Sequence, residues 1–189
     1  MSAATPAAGW LARIGCFARK HITTLLALLA VVLAAHFWQT RHLPTGTLPD
    51  VTLQLLNGER LHLSEWRARY PGQPVALHIW AEWCPICRTE ESSVTRIQTD
   101  WPVLTVAMQS GQAHQVQRVL RQRGLPWTTA IDTDGALARS LGVHAVPALL
   151  VLDANGQLRA ASIGYTSEMG MRLRLLWAAW HNGRLPLFD

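Results

Sequence analysis

The sequence predicts an α/β fold, a mixed β-sheet flanked by helices, preceded by one N-terminal transmembrane helix. Apolar runs of strand length alternate with segments of helical periodicity through the middle of the chain, a pattern typical of strands joined by helices. Turn signals at Asn57-Gly58 and between Asp153 and Gly156 add a hairpin near each end. An uncharged run at residues 22–38 stands apart from this pattern.

The uncharged run at residues 22–38 is the predicted membrane anchor. It contains no Asp, Glu, Lys or Arg, and a helix of this length spans roughly 25 Å, the short end of what crosses a bilayer. Three basic residues precede the run and one closely follows it: Arg13, Arg19, Lys20 and Arg41. The positive-inside rule therefore predicts a cytoplasmic segment at residues 1–21 and an exported domain after the anchor.

A cleaved signal peptide is the alternative to this anchor, because Val32 and Ala34 make a passable cleavage site. The 21 residues before the run favour the anchor. Cys16 then lies on the cytoplasmic side, either as a free thiol or as an acylation site.

The charge of +5 is concentrated around the N-terminal run, since residues 43–189 hold 13 basic and 12 acidic side chains. This balance excludes a nucleic-acid-binding surface in the body of the protein. Three cysteines cannot form a disulfide framework, so the fold must depend on a hydrophobic core. After a linker at residues 39–48 we predict one domain at residues 49–183 and a short tail at residues 184–189.

The first half of the domain contains a hairpin and two buried strands. Strands at residues 51–56 and 60–63 flank Asn57-Gly58, and a helical turn follows at residues 63–66. The runs at residues 75–80 and 103–108 are almost wholly apolar, which is typical of strands covered on both faces. The helix that separates them covers residues 88–98.

The second half repeats this alternation and ends in a helix. A helix at residues 112–123 is closed by Gly124, and its arginines, Arg118, Arg121 and Arg123, are interpreted as a solvated face. The remaining predicted elements are a strand at 127–131, a helix at 135–141, a hairpin of 147–152 with 157–163, and a helix at 167–181. The last helix is capped by Ser167 and closed by Asn182-Gly183. One apolar stripe at helical spacing is predicted to face the core: Leu173, Leu176, Trp177 and Trp180.

The chemistry of the chain is concentrated in the segment Cys84-Pro85-Ile86-Cys87. It lies between a buried strand and a helix, where Pro85 suits the first helical position. The two sulfurs then lie one turn apart on one face, within the range that a disulfide tolerates. The helix N-terminus favours the thiolate form of Cys84, and Cys87 is placed to resolve a mixed disulfide.

Two other interpretations of this cysteine pair remain, an inert structural disulfide and half of a zinc or copper site. A zinc site usually needs a second pair of ligands, and the sequence contains no other CxxC and no HxxxH. We favour a redox-active disulfide that needs no metal and no organic cofactor.

A resemblance to the thioredoxin superfamily is carried by residues 80–88, WAEWCPICR, and by Val146-Pro147 before a later strand. The start at residues 48–50, the first hairpin and the helical turn after it resemble the membrane-anchored TlpA/ResA group. The 63 positions from Cys84 to Pro147 leave room for the inserted βα unit of that group. Cys-Pro-Ile-Cys is most similar to the branch of suppressor of copper sensitivity protein D (ScsD) and DsbE-like proteins. The resemblance covers about residues 48–182.

The resemblance implies a site around the two cysteines. The Val146-Pro147 bond should be cis and pack against them, with neighbouring backbone binding a substrate peptide. Ala148 replaces the threonine common after this proline, which would alter substrate contacts. The supporting residues are those of the motif and of the proline loop: Trp83, Pro85, Ile86, Val146 and Pro147.

His78 stands six residues before Cys84, where thioredoxin has a buried aspartate that assists proton transfer. It is either a hydrogen-bonded core histidine, neutral because burial disfavours the charge, or a relay for the Cys87 proton. Glu82 and Arg88 could tune the thiolate, although solvent exposure is the simpler expectation for both. His144 lies either at the rim of the site or in an ordinary loop.

The function implied is that of a protein thiol-disulfide oxidoreductase, anchored in the bacterial inner membrane with its domain in the periplasm. Cys84 attacks a substrate disulfide and Cys87 resolves the mixed disulfide. The expected partners are periplasmic protein thiols and disulfides and a transmembrane electron donor of the DsbD or ScsB kind. The expected role is that of a reductase in cytochrome c maturation or copper-stress repair.

Two alternatives stay open. The same pair could act as a periplasmic disulfide oxidant, because about 30 mV in a two-electron couple corresponds to only 1.4 kcal/mol. The pair could also serve a copper-binding module that does not turn over.

Overall fold

The computed structural model of this protein describes residues 22–28, 30, 31, 34 and 46–181. The chain divides into two compact units, Met1–Arg41 and His42–Asp189. The described residues of the first unit are helical. Within the described part of the chain, no helix has both the length and the apolar character needed to cross a bilayer. Cys16, the closing residues Asn182-Gly183 and the tail at residues 184–189 lie outside the described residues, as does much of the predicted anchor.

The second unit is built on a mixed β-sheet. Its strands are β1 (Gly46–Thr47), β4 (Val75–Trp80), β5 (Val103–Met108), β6 (Thr129–Asp132), β7 (Ala148–Leu152) and β8 (Gln157–Ile163). They lie in the order β1-β8-β7-β4-β5-β6. The pairs β4-β5 and β5-β6 are parallel and the others antiparallel. Every residue of β4, β5 and β7 is buried, which confirms the predicted central strands.

A separate hairpin precedes this sheet. Its strands, β2 (Thr52–Gln54) and β3 (Arg60–His62), are antiparallel and are joined by the predicted turn. Gly58 has a φ of +87°, a conformation that favours glycine. Leu55 then bridges to Ala130 of β6, so the hairpin lies against the β6 edge.

Strand β1 was not predicted, because two residues are too few to carry a periodic pattern. Gly46 and Thr47, which we assigned to the linker, pair with Leu158 and Gln157 of β8. The side chain of Gln157 also donates to the hydroxyl of Thr47 at 2.9 Å. The ordered domain therefore begins before residue 49.

Helices cover both faces of the sheet, as predicted. They are α1 (Leu63–Ala68), α2 (Pro85–Ile97), α3 (Ala113–Arg123), α4 (Ala136–Ser140) and α5 (Glu168–His181). Leu77 and Ile79 of β4 pack in one core with α1, α4 and the hairpin. Ala76 and Trp80 pack in the other with α2, α3 and α5. This second core contains both cysteines of the CxxC motif.

The predicted orientation of the last helix is wrong. Its expected core stripe is exposed: Leu173, Leu176, Trp177 and Trp180. The face that packs on β7, β8 and α2 instead carries Met171, Leu175, Ala178 and Ala179. Periodicity identifies an apolar face but cannot choose between two, and the two alanines allow closer approach to the sheet. The predicted cap is confirmed, since Ser167 Oγ accepts from the Gly170 N–H at 3.2 Å.

Candidate active site

Cys84 and Cys87 lie at the start of α2, directly after β4. Cys84 is the N-cap, in an extended conformation, and Pro85 takes the first helical position, as the spacing predicts. The two cysteines form a disulfide with their Cα atoms 5.3 Å apart. The predicted geometry of the pair is therefore confirmed.

The sulfur of Cys84 lies between the helix N-terminus and the proline loop. It accepts a hydrogen bond from the backbone N–H of Cys87 at 3.2 Å and lies 3.9 Å from the carbonyl oxygen of Val146. Cys84 and Cys87 are buried, whereas Pro85 and Ile86 between them are exposed. A free N–H at a helix start favours negative charge on the group that it faces, so this position suits a thiolate on Cys84.

The Val146-Pro147 bond is cis, as the resemblance implies. Pro147 is buried and Val146 is half-buried. The carbonyl oxygen of Pro147 accepts from the N–H of Gly164 at 2.8 Å, which holds the loop between β8 and α5 beside the proline. Ala148 lies within β7 and is buried, so its side chain is not part of the exposed rim.

Trp83 forms the other side of the rim. Its ring is 56% exposed, and its Nε1 donates to the carbonyl oxygen of Gln109 at 3.1 Å. Gln109 has a φ of +48°, which is uncommon for a residue other than glycine. The adjacent Ser110 Oγ accepts from the N–H of Glu82 at 2.9 Å. The loop after β5 therefore fixes the backbone and ring that precede Cys84.

Arg123 holds the same segment from α3, contrary to the predicted solvated face. Its guanidinium donates to Glu91 Oε1 at 2.7 Å and to the carbonyl oxygen of Glu82 at 3.0 Å. Its side chain is 18% exposed. Arg118 and Arg121 of the same helix are exposed, so the predicted solvated face is confirmed for these two residues.

A buried histidine-carboxylate contact lies behind the cysteines. His78 and Glu90 are almost inaccessible to solvent, and His78 Nε2 lies 3.0 Å from Glu90 Oε2. The other carboxylate oxygen, Glu90 Oε1, accepts from the backbone N–H of Thr166. The expectation of a hydrogen-bonded core histidine is confirmed.

Glu90 was missed by the sequence reasoning. It follows Cys87 by three positions, and the buried face of α2 comprises Cys87, Glu90, Ser93, Val94 and Ile97. A carboxylate on the apolar face of a helix seldom lies buried without a partner. That spacing was the signal that could have identified it.

Two polar residues near the motif are exposed. Arg88 lies on the outer face of α2, and His144 lies in the loop before Val146. Among the described residues, no three His, Cys, Asp or Glu side chains are grouped to hold a metal ion.

Comparison with known families and proteins gives consistent results. The model of the Redoxin family matches residues 44–172. A "Thioredoxin-like protein" of Haemophilus influenzae is 27% identical over 129 residues, covering 68% of this chain and 75% of that protein. Thiol:disulfide interchange protein DsbE of Escherichia coli (strain K12) is 26% identical over 159 residues, covering 77% of this chain and 86% of that protein.

Solved structures agree with the fold. A candidate thiol:disulfide interchange protein DsbE from Chlorobium tepidum superposes with a TM-score of 0.63 at 25% identity, covering 72% of this chain and 99% of that one. A thioredoxin-class protein from Neisseria meningitidis, at 22% identity, gives a TM-score of 0.61 over 74% of this chain and 93% of that one. The second likeness concerns the fold alone.

Proposed function

Since this chain belongs to the redoxin family, and is a thioredoxin-like thiol-disulfide oxidoreductase of the DsbE-like kind, we propose that Cys84 and Cys87 are its catalytic pair. The single observation that carries this proposal is the position of the Cys84 sulfur. It lies at the start of α2, with the N–H of Cys87 directed at it at 3.2 Å. Such a group is a stronger nucleophile at neutral pH than an isolated thiol.

The reduced pair transfers two electrons to a protein disulfide. The thiolate of Cys84 attacks one substrate sulfur, forms a mixed disulfide and releases the other substrate sulfur as a thiolate, which takes a proton. Cys87 loses its proton and attacks Cys84 Sγ, which breaks the mixed disulfide and releases the second substrate thiol. The Cys84-Cys87 disulfide that remains must be reduced by an external dithiol before the next cycle.

Backbone beside the proline supplies the binding surface for the substrate chain. The carbonyl oxygen of Val146 lies 3.9 Å from Cys84 Sγ, so an extended peptide passing over the sulfur can donate a main-chain N–H to that carbonyl. Trp83 and Ile86 are half-exposed apolar side chains next to the sulfur. Together they favour a peptide with apolar residues around its cysteine.

We infer that Glu90 accepts the proton that Cys87 must lose and that His78 positions Glu90 for this step. Glu90 projects from the same face of α2 as Cys87, one turn further along. His78 lies in hydrogen-bond contact with that carboxylate and acts through it as a positioning residue. The sequence hypothesis of a relay through His78 thus becomes a two-residue arrangement.

The physiological direction that we propose is reduction. DsbE relatives are thiol:disulfide interchange proteins by name, and the resemblance to the ScsD and DsbE-like branch favours a reductase in cytochrome c maturation or copper-stress repair. Such a reductase receives its electrons from a transmembrane donor of the DsbD or ScsB kind. The run at residues 22–38 would anchor it in the bacterial inner membrane, with the catalytic domain in the periplasm.

An insulin reduction assay with a dithiol donor tests the catalytic proposal. We expect Cys84→Ser to abolish turnover and Cys87→Ser to accumulate a mixed disulfide with insulin, visible by electrophoresis without reductant. Cys16→Ser is the matched control and should keep full activity. Turnover by the Cys84→Ser variant would overturn the assignment, and tight copper binding without exchange would favour a metal-binding module.

The direction is tested by the reduction potential of the Cys84-Cys87 couple in a glutathione redox buffer. A potential near that of thioredoxin, about −270 mV, supports a reductase. A value near that of DsbA, about −120 mV, supports an oxidant instead.

A further inference from the structure

Helix α5 carries large apolar side chains on its solvent side. We name this surface the outer face of α5, and it comprises Met169, Leu173, Leu176, Trp177 and Trp180, which are 66%, 59%, 41%, 47% and 59% exposed. At about 3.6 residues per turn these five positions form one stripe about 100° wide. A contiguous exposed apolar patch of this kind indicates a surface that binds a membrane or another molecule.

The outer face is additional to the face that holds α5 in the domain. The core side of the helix is filled by Met171, Leu175, Ala178 and Ala179. The helix is therefore apolar on two opposite sides, with Arg172 and Arg174 between them, whereas a surface helix of a globular domain usually carries one apolar stripe. The residues of the outer face do not belong to the buried core of the described domain.

Two aromatic rings of the outer face pack on each other. The ring centroids of Trp177 and Trp180 lie 5.6 Å apart, and the ring of His181 lies 4.6 Å from that of Trp177. Indole rings combine a large apolar area with one polar N–H, and they concentrate where hydrocarbon meets lipid headgroups.

The charges that border the outer face are suited to a phosphate-rich surface. Arg172 and Arg174 lie on its two sides. The nearby carboxylates are paired: Arg96 and Arg172 bind Glu168, and Arg172 also binds Asp100 at 2.5 Å. The carboxylate of Glu168 is therefore neutralised, and Arg174, on the other side of the stripe, is the arginine placed to reach lipid headgroups.

Helix α5 is connected through the sheet to β1, the described strand that comes first after the proposed anchor in sequence. Helix α5 packs on β8, and β8 pairs with β1 at Gly46. The proposed anchor ends at residue 38, so seven residues of sequence separate it from Gly46. A tether of this length would keep a bilayer within reach of the domain.

From these observations we propose that the outer face of α5 lies on the surface of the lipid bilayer, with Trp177 and Trp180 at the level of the headgroups. This inference rests on the proposed membrane tether. The outer face would give the domain a reversible membrane contact of its own, in addition to the proposed anchor.

The test uses the full chain in vesicles of phosphatidylglycerol and phosphatidylcholine whose acyl chains are brominated near the headgroup end. Bromine quenches tryptophan fluorescence on contact. We expect more quenching of the wild type than of Trp177→Phe/Trp180→Phe, because the double variant lacks the two rings in contact with lipid. Trp38 of the proposed anchor is present in both proteins, so its quenching cancels in the comparison.

A variant with added negative charge tests whether a loss of quenching reflects lost lipid contact or a damaged fold. Leu173→Glu/Leu176→Glu should lose the same excess quenching while insulin reduction stays unchanged. Gln117→Glu/Gln122→Glu adds the same charge to exposed positions of α3 and should keep the quenching.

Flotation of the vesicles distinguishes the possible failures. If the protein floats with the vesicles but shows no excess quenching, the result supports the tether and overturns the inference about the outer face. If the protein does not float, both the tether and the inference are overturned. Insulin reduction tests the catalytic proposal separately. Cross-linked dimers that disappear in Leu173→Glu/Leu176→Glu, without bromine quenching, would assign the face to a second copy and would also overturn the inference.

Discussion

His78 Nε2 lies 3.0 Å from Glu90 Oε2 in the interior of the domain, with each side chain about 1% exposed. The contact joins the central strand β4 to α2, the helix that carries the cysteines. A buried carboxylate is stable only when its oxygens have partners, and here the second oxygen binds the N–H of Thr166.

Removal of the histidine should destabilise the domain. We expect His78→Leu to lower the free energy of unfolding by about 3 kcal/mol, because it leaves the Glu90 carboxylate without its side-chain partner. Urea unfolding measures the loss. His78→Leu/Glu90→Leu should recover part of it, since both polar groups are gone, whereas a double variant less stable than the single one would contradict this account. The exposed His144→Asn is the control, with a change below about 0.5 kcal/mol.

The same pair should affect the rate of thiol exchange. We expect His78→Asn and Glu90→Gln to slow insulin reduction and to change the shape of its pH profile. Glu90→Gln removes the proposed acceptor of the Cys87 proton, and His78→Asn removes the group that positions that acceptor. The rate is measured across a pH series for the wild type and both variants. A slower rate with an unchanged profile would indicate only a structural role and would reject the relay.

Arg123 should position the segment before Cys84. We expect Arg123→Met to lower the free energy of unfolding by about 1–2 kcal/mol, the loss of charge-assisted hydrogen bonds to Glu91 and to the Glu82 carbonyl, and to raise KM for insulin more than it lowers kcat. Arg121→Met, on the exposed side of the same helix, is the matched control. Equal effects of the two substitutions would contradict the positioning role.

Acid should weaken the attachment between the start of the hairpin and α1. The backbone N–H and the hydroxyl of Ser64 donate to Asp50 and hold the pKa of that carboxyl below its usual range. A carboxyl with a lower pKa in the folded state stabilises the protein above its unfolded pKa, near 3.9, and this stabilisation is lost as the pH falls through the folded value.

Asp50→Asn removes that dependence. The difference in urea midpoint between wild type and variant should be largest at neutral pH and should shrink as the pH falls below about 4. Ser64 lies at an exposed site, so the effect will be below about 1 kcal/mol. A difference that grows on acidification would contradict the sign argued here.

Local pattern predicted most of the fold because strands β4, β5 and β7 and the start of α2 obey strong rules. Their apolar runs are bounded by turn residues, and Pro85 marks the first helical turn. The cysteine pair was equally predictable, because its geometry depends only on spacing within one helix.

What the sequence did not predict depends on contacts between distant residues. The partner of Glu90 comes from β4 and from the loop before α5, so no local window contains it. Strand β1 exists only because β8 offers a free edge to Gly46 and Thr47. The orientation of α5 was misjudged because both of its sides are apolar and the choice between them depends on the shape of the sheet below.

The short loop between β8 and α5 is held at two points, two residues apart. Gly164 donates to Pro147, and Thr166 donates to Glu90; Tyr165 between them is 61% exposed. If a substrate peptide binds beside Pro147 as we propose, contact with Tyr165 would act on the hydrogen bond between Thr166 and Glu90. The loop of three residues would then link the proposed peptide-binding surface to the proposed acceptor of the Cys87 proton.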